Sequence, residues 1–269
     1  MLDDNLFQKF RTLIYDQTGI NLSSEKKELL NARLGKRLRA CGLDSFTAYY
    51  ELITSDRNGI EFTNFVDSVS TNYTSFFREQ NHFTLLAERL LPEIIQRRSG
   101  GKPISIWSSA CSSGEEPYTL AIVAQEALAS SREKFQVFAT DISTRVLAVA
   151  ERGVYPMERV ANVPREILKK YFLKGAGNSA GYVKVKPELR ALIRFQHFNL
   201  MGPFPWRGEI DIVFCRNVMI YFDRETQTRL VNKFYDSLVA GGFLIIGHSE
   251  SISSLNHRFR QVEATVFQK

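Results

Sequence analysis

Two stretches of this chain bring together residue types that can hold a small ligand. Trp107-Ser-Ser-Ala-Cys-Ser-Ser-Gly114 closes an apolar run and passes at once into Glu115-Glu116-Pro117-Tyr118. Small residues such as Ala110 and Gly114 at the carboxyl end of a strand let the backbone approach a ligand, and doubly wound sheets bind cofactors at that edge. A single glycine rules out a G-x-G-x-x-G dinucleotide fingerprint. A pyrophosphate also favours a helix N-terminus free of negative charge. Here Glu115 and Glu116 occupy that turn, so a cationic or neutral ligand is preferred over a phosphate. A second strand ends in Ala139-Thr140-Asp141, where a carboxylate can accept both hydroxyls of a ribose, which suits any adenosine cofactor. The structural alternative for Asp141 is a helix N-cap ahead of Ser143.

A third stretch, Phe214-Cys215-Arg216-Asn217 running on to Tyr221-Phe222-Asp223, puts strongly polar groups at the exit of an apolar strand. If the strands are parallel, Arg216 and Asn217 reach the same edge as the small-residue turn. Cys111 lacks a nearby histidine partner and reads as a small filler rather than a nucleophile. His248 reads as structural.

The elements that must position these groups follow from periodicity. Residues 1 to about 75 read as helical, with Leu6, Phe10, Leu13 and Ile14, then Leu29, Leu30, Leu34 and Leu38, at spacings of three and four. Ser23 or Ser24 is the expected cap of the second run, with further helices over 45–54 and 59–69. A linker and helix over 76–101 ends in Arg97-Arg98-Ser99-Gly100-Gly101, after which strands and helices alternate. Strands are expected over 103–110, 135–141, 209–215 and 243–247, and helices over 115–130, 143–152 and 223–240, the last ended by Gly241-Gly242. The segment 259–267 reads as an edge strand. This alternation predicts an α/β domain over 102–269, doubly wound on a mostly parallel sheet. Between about 160 and 196 the rhythm breaks into two short strands around Gly175, Gly177 and Gly181, an antiparallel insertion whose exposed edge can accept an added strand. A hairpin that merely extends the fold is the other reading.

Composition narrows the classes. With 44% hydrophobic residues in 269, the chain can bury a full core. No apolar run reaches the roughly 18 residues needed to span a bilayer. Met1-Leu2-Asp3-Asp4 does not open a signal peptide, so a cytoplasmic chain without membrane insertion is expected. Cys41, Cys111 and Cys215 are odd in number and widely spaced, which argues against disulfides and zinc sites. The net charge is +6, and the stretch from Lys26 to Arg39 carries six bases against Glu28 alone. It suits an acidic partner or is simply a solvated helix face. No recognition motif supports nucleic acid.

Taken together, Asn72-Tyr73-Thr74-Ser75-Phe76-Phe77-Arg78-Glu79, Gly114-Glu115-Glu116-Pro117-Tyr118, Ala139-Thr140-Asp141-Ile142, Asn199-Leu200, the 214–223 stretch and Gly247-His248-Ser249-Glu250-Ser251 resemble the CheR-type chemotaxis receptor methyltransferases. Each block is a weak signature, but jointly and in family order they span essentially the whole chain. The resemblance implies an all-α N-terminal domain on a class I, seven-stranded methyltransferase domain with an inserted β-subdomain. It also implies transfer of methyl from S-adenosylmethionine to glutamate side chains of methyl-accepting chemotaxis receptors, leaving S-adenosylhomocysteine. By the same resemblance Asn72, Thr74, Arg78, Glu116, Asp141, Asn199, Leu200, Asn217 and Val218 surround the cofactor, with Glu115 an alternative to Glu116 and Ala110, Gly114 and Arg216 beside them. Arg78 and Tyr221 lie nearest the reacting groups. No proline follows Asn217, unlike the Asn/Asp-Pro-Pro-aromatic loop of many amino-group methyltransferases. The glycine loop looks like the longer version found in members that bind a receptor's C-terminal pentapeptide. Acidic receptor helices give the basic helix over 24–40 a role, with Arg33, Lys36 and Arg37 as docking residues. The chain is expected to act as a monomer and to need no metal. Two rivals remain: a class I methyltransferase for another carboxylate or protein, and a chemotaxis adaptor that kept the fold without activity.

Overall fold

The computed structural model describes residues 2–57, 59–98 and 101–269. Met1 of the opening segment, and Ser99 and Gly100 of the expected linker, lie outside the described residues. The first helix, α1 (Asp4–Thr18), starts where the Asp3 carboxylate accepts the Leu6 N–H at 2.8 Å and stops at Gly19, whose φ of 74° suits glycine. Helices α2 (Lys27–Ala40), α3 (Phe46–Ser55) and α4 (Ile60–Val69) follow. Their apolar stripes meet in a core centred on Phe10, Ile14, Leu34, Tyr49, Ile53 and Phe65, all fully buried. The expected serine cap of α2 is absent: a short 3-10 turn over Ser24–Lys26 leads in, with no side-chain cap. Residues 70–75 belong to no helix or strand.

Helix α5 (Asn81–Leu85) runs through a π turn at Leu86–Leu90 into α6 (Leu91–Arg97). The alternating domain comprises β1 (Ile104–Ser108), α7 (Glu115–Ala127), β2 (Phe135–Asp141) and α8 (Thr144–Arg152), then the insertion β3 (Val154–Pro156), α9 (Arg165–Tyr171), β4 (Phe172–Lys174), β5 (Tyr182–Val185) and α10 (Pro187–Arg190). It closes with β6 (Ile193–His197), β7 (Ile210–Cys215), α11 (Arg224–Ser237), β8 (Leu238–Ile246), β9 (Arg260–Glu263) and β10 (Val266–Gln268). The main sheet has the order β6-β2-β1-β7-β8-β10-β9, and β10 alone runs against its neighbours. Every residue of β7 is buried, as a strand covered on both faces requires. The expected α/β class, seven-stranded sheet and antiparallel insertion are all present. No helix among the described residues is long and apolar enough to cross a membrane.

Several boundaries differ from expectation. Helix α11 ends at Ser237, and Leu238-Val239-Ala240 already belong to β8, which continues through Gly241 and Gly242. Those glycines do not stop a helix. A Cβ at Gly242 would lie 2.9 Å from the Asp211 carbonyl, and Gly241 has φ 76°, so both serve a kinked strand whose register jumps between Ile210 and Ile212. The terminal segment is a hairpin of β9 and β10, with β9 at the edge. The insertion gains a third strand, β3, paired with β5, while residues 193–196 belong to the main sheet in β6 rather than to the insertion.

The basic helix uses three of its charges internally, and the first of them, Lys27, pairs with Asp4 at 2.6 Å. Arg33 donates to the Val69 carbonyl at 2.6 Å and also reaches Ser70 O and Thr71 Oγ1. Arg37 forms a two-pronged pair with Glu61 at 2.9 and 2.5 Å, and Tyr49 donates to the same carboxylate at 2.8 Å. Arg33 and Arg37 therefore do not form the free docking face expected of them, because α4 and the segment after it cover that side of α2. Lys36 stays exposed. Burial alone would raise the Glu61 carboxyl, but hydrogen bonds from Arg37, Tyr49 and Asn64 outweigh it and hold the carboxyl below its ordinary 4.5. The stabilisation is accordingly complete above that value and is lost as pH falls through the lowered one. Arg37→Glu should cost about 1–3 kcal/mol of unfolding free energy at neutral pH, read by urea denaturation. An unchanged midpoint would show that the pair adds nothing to stability.

Candidate functional site

The carboxyl ends of β1, β2 and β7 open into a crevice roofed by the end of α1 and by residues 70–75. Its empty space, counted out into the open mouth, is about 910 Å³. The roof is held to the sheet domain at close range. Asn199 Nδ2 donates to the Gln17 carbonyl at 2.6 Å, Tyr15 Oη donates to Asp223 at 2.6 Å, and Ile20 bridges to Phe222. Gly19 packs against the Met201 side chain, and its φ of 74° is what calls for glycine there.

At one end of the crevice the turn after β1 carries Ser109, Ala110 and Ser112. Ser112 takes φ 48° and aims its N–H at Asp141 Oδ2, 2.8 Å away, while Ser143 N–H serves Oδ1 at 2.9 Å. Asp141 is 6% exposed. Burial raises its carboxyl above the ordinary value against the pull of these amides. It does not cap α8, because Ser143 performs that role with its own side chain. Asn72, whose carbonyl accepts the Ser112 hydroxyl at 2.9 Å, lines the crevice beside this turn, and its Nδ2 is a buried donor without a partner among the described residues.

A buried guanidinium organises the floor. Arg216 is 6% exposed and joins two carboxylates, Glu116 through Nη1 at 3.0 Å and Glu79 through Nη2 at 3.0 Å, while Nη2 also donates to the Arg78 carbonyl. Its plane lies over Phe83, 5.3 Å from the ring centre. Glu79 additionally accepts Asn217 Nδ2 at 3.2 Å and His248 N–H at 3.2 Å. Phe77, Glu79 and Asn217 all hold positive φ, so this knot fixes backbone that L residues rarely adopt. Burial raises the Glu116 carboxyl despite Arg216, whereas Arg216 and Asn217 overcome burial at Glu79 and lower it. Beneath Asn217, Glu250 accepts the N–H groups of Asn217 at 2.9 Å, Met219 at 2.8 Å and Gly247 at 2.7 Å.

The Arg78 side chain, also in the lining, makes one hydrogen bond, to Tyr73 O at 2.9 Å, and stacks on that exposed ring. No ion pair engages it among the described residues. Tyr221 lines the crevice with its carbonyl held by Asn21 N–H at 2.8 Å.

Of the residues expected at the site, Asn72, Thr74, Arg78, Ala110, Glu116 and Asp141 line the crevice from its turn and roof. Asn199, Leu200, Arg216, Asn217, Val218 and Tyr221 complete it. Asn199, however, commits its amide to Gln17 and Met201. Gly114 and Glu115 are not part of the lining. Gly114 allows Ala150 and Tyr155 to close in, since a Cβ there would lie 2.8 Å from each. Glu115 turns away to Ser113 and Arg159, so Glu116 is the acid that faces the crevice. Gly175, Gly177 and Gly181 lie in the connection between β4 and β5, outside the lining. Sequence reasoning passed over Thr18, Ile20 and Ser112 as lining residues. It also assigned no role to Glu79 or Glu250, although both sit in the motif blocks. Burial pushes the Cys111 thiol well up, in keeping with a filler.

Removing the charge at Glu79 leaves Arg216 with one carboxylate in a dry setting. Glu79→Gln should therefore lower the unfolding free energy by roughly 3 kcal/mol, measured by urea titration. A loss below about 1 kcal/mol would mean that Glu116 alone satisfies the guanidinium.

With this geometry in place, known proteins give a consistent comparison. The family model described as "CheR methyltransferase, SAM binding domain" matches residues 72–268, and "CheR methyltransferase, all-alpha domain" matches residues 5–70. Chemotaxis protein methyltransferase 2 of Pseudomonas aeruginosa is 44% identical over 97% of this chain and 91% of its own length. The chemotaxis protein methyltransferase of Klebsiella aerogenes is 41% identical over 99% and 90%, and that of Escherichia coli 39% over 99% and 91%. The chain belongs to the CheR family of S-adenosylmethionine-dependent methyltransferases.

Proposed function

We propose that this chain esterifies glutamate side chains of chemotaxis receptors, using S-adenosylmethionine, as part of sensory adaptation in the cytoplasm. The observation that carries the reading is one crevice lined both by a buried carboxylate, Asp141, and by a guanidinium, Arg78, that no ion pair engages among the described residues. The residues suit the cofactor. Asp141 keeps lone pairs for ribose hydroxyls, Asn72 Nδ2 is a buried donor still needing an acceptor, and the turn over 109–112 admits a ligand close to the backbone. Bound there, S-adenosylmethionine supplies an electrophilic methyl group on a sulfonium.

A glutamate carboxyl, with an ordinary pKa near ~4.3, is already an anion at neutral pH. The chain therefore has no proton to remove, which agrees with His248 lying outside the crevice lining. Charge on both reactants is neutralised as the methyl moves, so a tight ion pair to Arg78 would favour the ground state over the transition state. Arg78 serves instead to orient, and Tyr221 borders the same space. Orientation alone is a strong lever, since well-aligned reactions reach effective molarities of roughly 10⁵ to 10⁸ M.

For receptor docking, exposed Lys36, together with exposed Lys26 and Arg39, replaces the trio first expected, and it complements acidic receptor helices. The small sheet has the order β3-β5-β4, so β4 offers an edge to which a C-terminal pentapeptide can add as a strand.

Incubation with methyl-labelled cofactor and receptor-bearing membranes should yield base-labile ester on receptor glutamates, and base-stable label or none would refute the assignment. Arg78→Ala should cut turnover about 100-fold while changing S-adenosylhomocysteine affinity by less than about tenfold. An equal loss in both would place Arg78 on the cofactor instead.

A further inference from the structure

Behind the Arg216 knot, on the side away from the crevice, Glu79, His82 and His248 converge. Their ligand-capable atoms all lie within 4.8 Å of one another. His82 is 3% exposed, and its Nδ1 has no hydrogen-bond partner, although it points toward Glu79 Oε2 at 3.5 Å. The His248 ring lies edge-on to it, with centroids 4.7 Å apart, and is exposed. On its far side, His82 Nε2 sits 2.6 Å from Thr265 Oγ1.

We infer that Glu79, His82 and His248 form a binding site for a borderline divalent cation of the zinc type, and that the ion acts as an inhibitor rather than a cofactor. Tetrahedral zinc with bonds of about 2.0–2.2 Å spaces its ligand atoms roughly 3.4 Å apart. The Glu79–His82 pair already meets that spacing. The exposed His248 ring has to move in by up to about 1.4 Å, and water completes the shell. Thr265 fixes the His82 ring through the other nitrogen, the arrangement that orients metal-bound histidines. No cysteine takes part, so cysteine spacing gave no hint of the site. The cost falls on Glu79 Oε2, which also accepts Arg216 and the His248 N–H. An ion on that oxygen competes with Arg216 and loosens the turn that carries Arg78.

The site stands on geometry alone, and only the inhibition rests on the proposed activity, so the two are read separately. Calorimetry of the cofactor-free chain with ZnCl₂ should give one equivalent bound, weakened at least tenfold by His248→Ala and also by His82→Gln. His248 is exposed, so its variant keeps the test usable should the His82 variant misfold. Receptor methylation should fall roughly tenfold at saturating zinc, recover with EDTA and resist zinc in His248→Ala, each protein being compared with its own metal-free rate. No binding, or binding that both substitutions leave unchanged, overturns the site. Binding with an undiminished methylation rate overturns the competition for Glu79.

Discussion

A positive charge buried where water cannot reach it must be answered on every side, and Arg216 sets that constraint here. Taking a guanidinium out of water is costly unless carboxylates and carbonyls surround it in good geometry. Glu79, Glu116 and the Arg78 carbonyl do so; the first and last come from the segment before α5 and Glu116 from the start of α7, while Arg216 itself leaves β7. One ion thus ties together three parts of the chain whose backbone would otherwise relax, including three non-glycine residues at positive φ in the knot. Asn217 and Arg78, both in the crevice lining, take their places from it.

Much of the architecture was legible in the residue pattern, because burial on one or two faces imposes periodicity. The run 135–141 was read to the residue, since β-branched and aromatic positions end at an acid that the fold needs there. Other boundaries were hidden for physical reasons. Gly241-Gly242 looks like a helix stop, yet its role is to let β8 pass close to Asp211, a contact with no local trace. Arg33 and Arg37 look like a solvated stripe because sequence shows a helix face without showing what packs on it.

The crevice was legible wherever a polar residue leaves an apolar strand, as at Asp141 and Arg216. It was obscure where a role depends on partners far away in the chain. Glu79 stands beside Arg78 in plain view, but its four donors come from residues 216, 217 and 248. Adjacent Glu115 and Glu116 could not be told apart by type. The helical turn sends one toward Arg159 and the other toward Arg216. Thr18 and Ile20 were missed because the end of α1 becomes a wall only when the helical domain packs down.

Three acids in and under the crevice, Asp141, Glu116 and Glu250, share one condition: burial holds each carboxyl above its ordinary value. A raised acid supports the folded state fully below its unfolded pKa, and that support fades as pH rises through the folded one. At neutral pH the domain therefore carries electrostatic tension at the very place it must recognise a ligand. A molecule bearing hydroxyl and ammonium donors relieves that tension on arrival, so recognition and rigidity rise together and the protein is firmest when it is occupied.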